Sequence, residues 1–512
     1  MKKSLLKLGL VAMAVLSSNL LSAQRYLSEV FSGVTVTHDT TYGNNITIFP
    51  TGTPTPQDLK MDVYEPTGDV EPLRPLIIYL HTGSFIPAVF NQNPTGGKMD
   101  STAVEMSSQF AKRGYVVANA DYRQGWVPTD PDQDVRTGTL LQAVYRAIQD
   151  AKVCVRFWYE SAANGNPFRI DTNAIIIGGQ GTGGYIALAY ASLDKTSEIG
   201  LTKFLSNSDN ATYGFQTGFS YVNQTLMGDF DGYGGVPQLN NPNNHVGYSN
   251  KISFVFNMGG AMGDSSWLEA GDVPMVAFHV PSDPFAPYGD GPVYVPTTPP
   301  QFVVDVSGSQ TVITKANALG NNNCFINAGF TDVYTQTANQ NNGGQDGLYP
   351  LLVNGYQAGP WEWYDSTALV VYAQAVGLSG SAGTAAYVNG IQTNPDMSKA
   401  KALSYIDTMQ NYLNPRIVYC LGLPDGINET SLNKIATVYP NPAANQFTVA
   451  LDGVRSEILS VEIFDVTGKM VRKESNLHTN NMTFNRGSLA DGMYVVRITT
   501  EKGVVSKQLS LQ

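Results

Sequence analysis

Between Ala174 and Ser192 the chain reads AIIIGGQGTGGYIALAYAS. An apolar, β-branched run enters a glycine-packed turn, and a run of small residues leaves it. A strand that is apolar at every position is buried on both faces, which requires a mostly parallel sheet with helices on each side. Two chemistries use such a strand–turn–helix unit. A phosphate cradle of the form G-x-G-x-x-G is met by Gly179, Gly181 and Gly184; a nucleophile elbow of the form G-x-S-x-G is met by Gly179 and Gly183, with Gly181 at the serine position. A dinucleotide cradle needs a second strand ending in an acid about 20 residues on. The chain instead continues DKTSEIGLTKFLSNSDNATYG, which holds no such strand, so the elbow is the better match.

The surrounding pattern extends the sheet. LKMDVYEP (59–66) alternates like an early edge strand, LIIYL (76–80) is continuously apolar, and YVVANA, ISFVFN and PMVAFH supply further strands. A helix follows HTGSF (81–85), with Asp100 and Ser101 as capping candidates, and a long helix is expected over 139–159. These blocks, in this order, resemble the α/β-hydrolase fold of secreted carboxylesterase-like proteins. LKMDVYEP, RPLIIYLHTGSF, AKRGYVVANADYR, IIIGGQGTGGYIALAYAS and PMVAFHVPSDPFAPYGDG carry the resemblance. It implies that HTGSF stands at the oxyanion loop and that Asp283 stands at the acid of the triad. His81, Thr82, Gly83, Ser84, Gln180 and Thr182 are then the expected oxyanion and ligand-binding residues, around the degenerate nucleophile position Gly181.

Two parts of that mechanism are missing. Gly181 has no side chain to attack with. The fold's chain order is nucleophile, acid, then histidine; of the five histidines, His38, His81, His245, His279 and His478, only His478 follows Asp283, and it lies in the C-terminal region. His245 sits in the Asn-rich segment NNPNNHVGYSN, from which a cap loop could carry it inward; His279 reads as a structural histidine closing its strand.

Past Leu423 the pattern changes to short alternating strands, FTVAL, SVEIFDV, MTFN, GMYVVRITT and VVSKQLSL, separated by turn signals, as in a small β-sandwich. VYPNP, FDVTGKMV, LADGMYVVRI and the terminal KQLSLQ make this tail similar to type A C-terminal sorting domains of the type IX secretion system. That resemblance implies export through that machinery to the exterior or outer surface. The N-terminus, with Lys2, Lys3, an apolar stretch and small residues at Ser22 and Ala23, has the form of a secretory signal peptide. The expected organisation is 1–23 signal peptide, 24–423 α/β-hydrolase-like domain, 424–434 linker and 435–512 sorting β-sandwich, with no transmembrane span.

A net charge of −11 with no basic stripe argues against nucleic acid. No cofactor is expected, and no metal: Asp229 and Asp231 in GDFDGYGG lack the final glutamate of a calcium loop, and DPDQD (130–134) reads as a helix-capping run. Export permits a disulfide, with Cys324–Cys420 the first pairing to test among three cysteines; three buried thiols are the other outcome. WEWY (361–364) is loop-like and fits either a ligand site or the core. The expected function is binding of an ester, acyl or aromatic ligand without turnover. The alternatives are an active hydrolase using Ser84 or Ser282 in a rearranged site, and a structural or adhesive surface protein.

Overall fold

The computed structural model describes residues 25–355, 357–423, 436–451, 457–466, 468–500 and 503–512. The signal-peptide and linker readings lie outside these residues. Two compact units form, one over Phe31–Leu421 and one containing Gly422–Gln512.

The first unit is built on an eight-stranded sheet: β1 (Val34–Thr47), β2 (Thr55–Pro66), β3 (Arg74–Leu80), β4 (Val116–Ala120), β5 (Ile170–Gln180), β6 (Phe254–Met258), β7 (Met275–His279) and β8 (Leu348–Pro350), in the order β1-β2-β4-β3-β5-β6-β7-β8. Only β2 runs against its neighbours; every pair from β4 to β8 is parallel. This is the α/β-hydrolase arrangement. The segment 59–66 is not an edge strand. The 14-residue β1 pairs along its length and takes the edge, and the polar alternation of β1 hid it in the sequence.

Ile175, Ile176 and Ile177 are fully buried because helices cover both faces of β5. Helix α1 (Ser101–Lys112) covers one face; α2 (Gln133–Ala163) and α3 (Thr182–Ser192) cover the other. Asp100 takes the N-cap position of α1, yet its carboxylate turns back to accept from the N–H groups of Gly96 and Gly97. Helix α2 begins six residues before the expected start. Asp132 caps it, accepting from the Asp134 N–H, as a capping acidic run should. Asp229 closes a turn by accepting from the N–H groups of Asp231 and Tyr233. A Cys324–Cys420 disulfide ties the short helix Asn323–Ala328 to the end of the helix Lys399–Leu421, while Cys154 is a buried free thiol.

The second unit pairs a three-stranded and a four-stranded antiparallel sheet around one core. Phe447, Val449 and Phe484 from one sheet pack with Val461, Ile463, Val496 and Ile498 from the other. This is the expected β-sandwich. Among the described residues no helix is long and apolar enough to cross a membrane.

Candidate functional site

β5 ends at Gln180, α3 starts at Thr182, and Gly181 joins them with φ 51° and ψ −116°. That conformation strains any residue with a Cβ, and glycine adopts it freely. The elbow is tight for a second reason. A Cβ at Gly179 would lie 2.3 Å from the Leu80 carbonyl oxygen, and one at Gly183 only 2.1 Å from the same atom. β3, β5 and α3 therefore touch backbone to backbone.

The space that a side chain at position 181 would use holds the hydroxyl of Thr82. Thr82 Oγ1 lies 2.0 Å from where a Cβ of residue 181 would stand. The two neighbours of Gly181 point elsewhere. Gln180 accepts from the Tyr79 hydroxyl at 3.2 Å, and the Thr182 hydroxyl donates to Tyr122 at 2.8 Å. Tyr122 in turn donates to the His81 carbonyl at 3.0 Å and stacks on the His81 ring, centroids 4.4 Å apart. Burial holds His81 below the ordinary histidine range, against the pull of Asp121. Gly83 has φ 125°, and a Cβ there would meet Gly96 Cα at 2.3 Å, so this loop accepts only glycine at that point. Ser84 is exposed, and its carbonyl accepts from Trp126 Nε1.

Asp283 lies on the turn after β7. Its Oδ1 accepts from the N–H groups of Phe285 and Ala286. Burial pushes its pKa up to about 7; the two N–H groups oppose this and Glu362 adds to it. Ser282 beside it is exposed.

All five histidines are committed away from a triad. His279 hydrogen-bonds Ser309 Oγ and the Ala286 carbonyl, and burial lowers its pKa to about 4. Its Nε2 is 3.8 Å from Asp283 Oδ2, but the ring is fully buried. His38 pairs with Asp62, His478 with Glu457, and His245 is held by Glu160 and the Tyr42 carbonyl. His245 is thus fastened outside the site.

The loop after β8, where the chain order would supply the base, brings Trp361 and Glu362 instead. The Trp361 ring reaches within 3.3 Å of a Cβ position on Gly259, and Asp283 Oδ2 lies 3.6 Å from that same point. Desolvation of the half-buried Glu362 pushes its pKa up to about 7; a hydrogen bond from Tyr364 opposes this. The aromatic WEWY run signalled this segment in the sequence, but nothing there tied Glu362 to Asp283. A separate cavity of about 220 Å³ lies away from the elbow, lined by Leu352, Asn354, Gln357, Asp396, Lys401 and Tyr405 among others.

Gly181→Ser is expected to destabilise the body by about 1–3 kcal/mol, from the positive φ and from displacing Thr82. Thr82→Ala in the same chain should recover part of that loss. Denaturant titration of the single and double variants measures both, and an unchanged midpoint for Gly181→Ser would remove the steric argument.

Comparisons with known proteins agree with this architecture. The BD-FAE family model matches residues 61–291, and the model described as secretion system C-terminal sorting domain matches 437–512. A curated relative, ulvan lyase NLR42 of Nonlabens ulvanivorans, is 35% identical over 72 residues, a span of 13% of this chain and 12% of that protein. Among solved structures, esterase Est2 of Thermogutta terrifontis overlaps with 16% identity and a TM-score of 0.34, covering 67% of this chain and 89% of its own. A bifunctional GH43-CE protein of Bacteroides eggerthii overlaps with 14% identity and a TM-score of 0.32, covering 66% of this chain and 37% of its own. The strand order and the elbow, rather than these overlaps, carry the fold. The chain joins an esterase-like BD-FAE domain of α/β-hydrolase architecture to a type IX sorting domain that directs it to the cell surface or exterior.

Proposed function

We propose that the exported body binds an ester, acyl or aromatic ligand at the elbow and does not turn it over by Ser-His-Asp chemistry. The observation that carries this reading is the elbow itself: its backbone has the shape that presents a nucleophile, and the presented residue is Gly181. Without nucleophile and base, the mechanism keeps only binding and oxyanion stabilisation. The N–H of Thr182, at the start of α3, has no acceptor within its own helix and is free to meet a carbonyl oxygen. Each such bond contributes only about 0.5–1.5 kcal/mol net, so apolar burial must supply most of the affinity.

Purified body is expected to hydrolyse short-chain p-nitrophenyl esters no faster than buffer and to take up no fluorophosphonate. Hydrolysis that disappears in Asp283→Ala would overturn the reading in favour of a rearranged hydrolase. Labelling at Ser84 or Ser282 would do the same and name the nucleophile.

A further inference from the structure

We propose that the cavity of about 220 Å³ away from the elbow binds a single ring of a neutral saccharide, between the loop after β8 and the helix Lys399–Leu421. This goes beyond the elbow reading and does not depend on it. Two segments build the cavity. The loop after β8 brings Leu352, Asn354 and Gln357, and the helix brings Lys401 and Tyr405. Those two stand four residues apart, so they lie on one face of the helix, a turn from each other. Asp396, just before the helix, closes the wall.

The wall is set before any ligand arrives. Lys401 Nζ donates to Gln357 Oε1 at 2.7 Å, to Asn394 Oδ1 at 2.7 Å and to Asp396 Oδ1, which spends all three of its donors. Gln357 is 1% exposed, and its Nε2 donates to Asp396 Oδ1 at 2.9 Å and to the Asn354 carbonyl at 3.0 Å. Asn394 is buried as well, and it ties the cluster to the fold by donating to the carbonyls of Gly359 and Glu362. Side chains held in this way present a fixed pattern of donors and acceptors, so binding carries little further ordering cost.

What remains unspent selects the ligand. Two bonds use about half of the acceptor sites of a carboxylate, and 61% of the Asp396 side chain is exposed. The hydrogen bond from Lys401 holds Asp396 below the usual carboxylate range, so it stays an acceptor. The Tyr405 hydroxyl makes one long bond, 3.4 Å to the Leu352 carbonyl, and the exposed Asn354 amide can donate and accept. Lys401 and Asp396 cancel, so the lining carries no net charge. An ionic ligand would meet an opposite charge already paired, with a like charge beside it. A hydroxyl both donates and accepts, and several on one ring match Asp396, Tyr405 and Asn354 together. The apolar sides of Tyr405 and of the exposed Leu352 suit the C–H face of such a ring. At about 220 Å³ the cavity is smaller than the ~300–1,000 Å³ of sites for drug-sized ligands, which fits a single ring.

Saturation-transfer NMR on the full chain tests this with the methyl glycosides of glucose, galactose and xylose, and with glucuronate and glucosamine as charged counterparts. At least one neutral glycoside should bind in the millimolar range, and both charged sugars should bind about tenfold more weakly than the best of the three. Tyr405→Ala should weaken that glycoside by about fivefold, and Asn354→Ala by about threefold. Asn354 is exposed, so its variant gives a reading even where Tyr405→Ala fails to fold. Binding of no neutral glycoside at tens of millimolar overturns the proposal. Equal or tighter binding of glucuronate or glucosamine also overturns it, because the site would then be ionic. Unchanged affinity in a folded Asn354→Ala or Tyr405→Ala does the same, by placing the sugar elsewhere on the chain. None of these outcomes bears on ester binding at the elbow.

Discussion

Removal of Val504–Gln512 is expected to abolish delivery of the protein to the cell surface and leave it in the periplasm. The last strand, Gly503–Leu511, pairs antiparallel along its full length with Gly492–Thr500. Val505, Leu509 and Leu511 point inward and are almost completely buried in the core of the sandwich. The C-terminal carbonyl of Gln512 accepts from Arg486, and Ala443 exchanges backbone hydrogen bonds with Ser510 and Gln512, so the terminus is fastened to the opposite sheet. Deletion removes the three core side chains and exposes the edge of Gly492–Thr500. A sandwich this small has little core to lose. Fractionation of cells expressing the truncated chain measures the effect. Normal surface delivery would refute the role of this strand in sorting. Fusion of residues 437–512 to a periplasmic reporter is the converse test, and the reporter should then reach the exterior.

The sequence carried the sheet because its central strands are buried on both faces. LIIYL in β3 and AIII in β5 read as unbroken apolar runs, β4 is interrupted only by Asn119, and the order of motifs followed. β1 did not show itself, since an edge strand that is half in solvent has the composition of a loop. The vacancy at Gly181 and the shortage of histidines were legible too, being questions of residue type and chain order. What fills the space was not. Thr82 reads as an oxyanion-loop residue, but its hydroxyl meets the vacated position only because β3 packs backbone to backbone on Gly179 of β5 and Gly183 of α3. Glu362 carries no such signal in the sequence, because it lies 79 residues beyond Asp283 and only the return of β8 beside β7 brings the two carboxyl groups into one electrostatic environment. The close packing at Gly83 also rules out a bulky residue there as a probe of binding, which leaves Thr82 as the position to vary.

Asp134→Ala is expected to cost about 3 kcal/mol of stability and to loosen the segment from Ser206 to Tyr221. Asp134 sits in the first turn of α2 and is almost fully buried. Its carboxylate accepts from the hydroxyls of Tyr221 at 2.6 Å, Ser208 at 2.8 Å and Ser206 at 3.1 Å, and from both the backbone and side-chain nitrogens of Asn207 at 2.9 Å. One charge thus closes a loop more than 70 residues away in sequence onto the helix that covers β5. Burial alone would raise its pKa, but the hydrogen bonds from Tyr221, Asn207, Ser208 and Ser206 outweigh it and hold the value at about 2. A carboxyl group whose pKa is depressed by folding stabilises the folded state above its unfolded pKa, near 4, and loses that contribution as pH falls toward 2. The alanine variant should therefore be less stable at pH 7, and its deficit should shrink as pH falls through that window. Asp134→Asn keeps the shape but replaces acceptor capacity with donors facing donors, so it should lie between the two. Chemical denaturation at pH 7, 4 and 3 decides the matter. A deficit that stays constant across the three would mean that Asp134 acts through packing, and that its charge does not hold the loop.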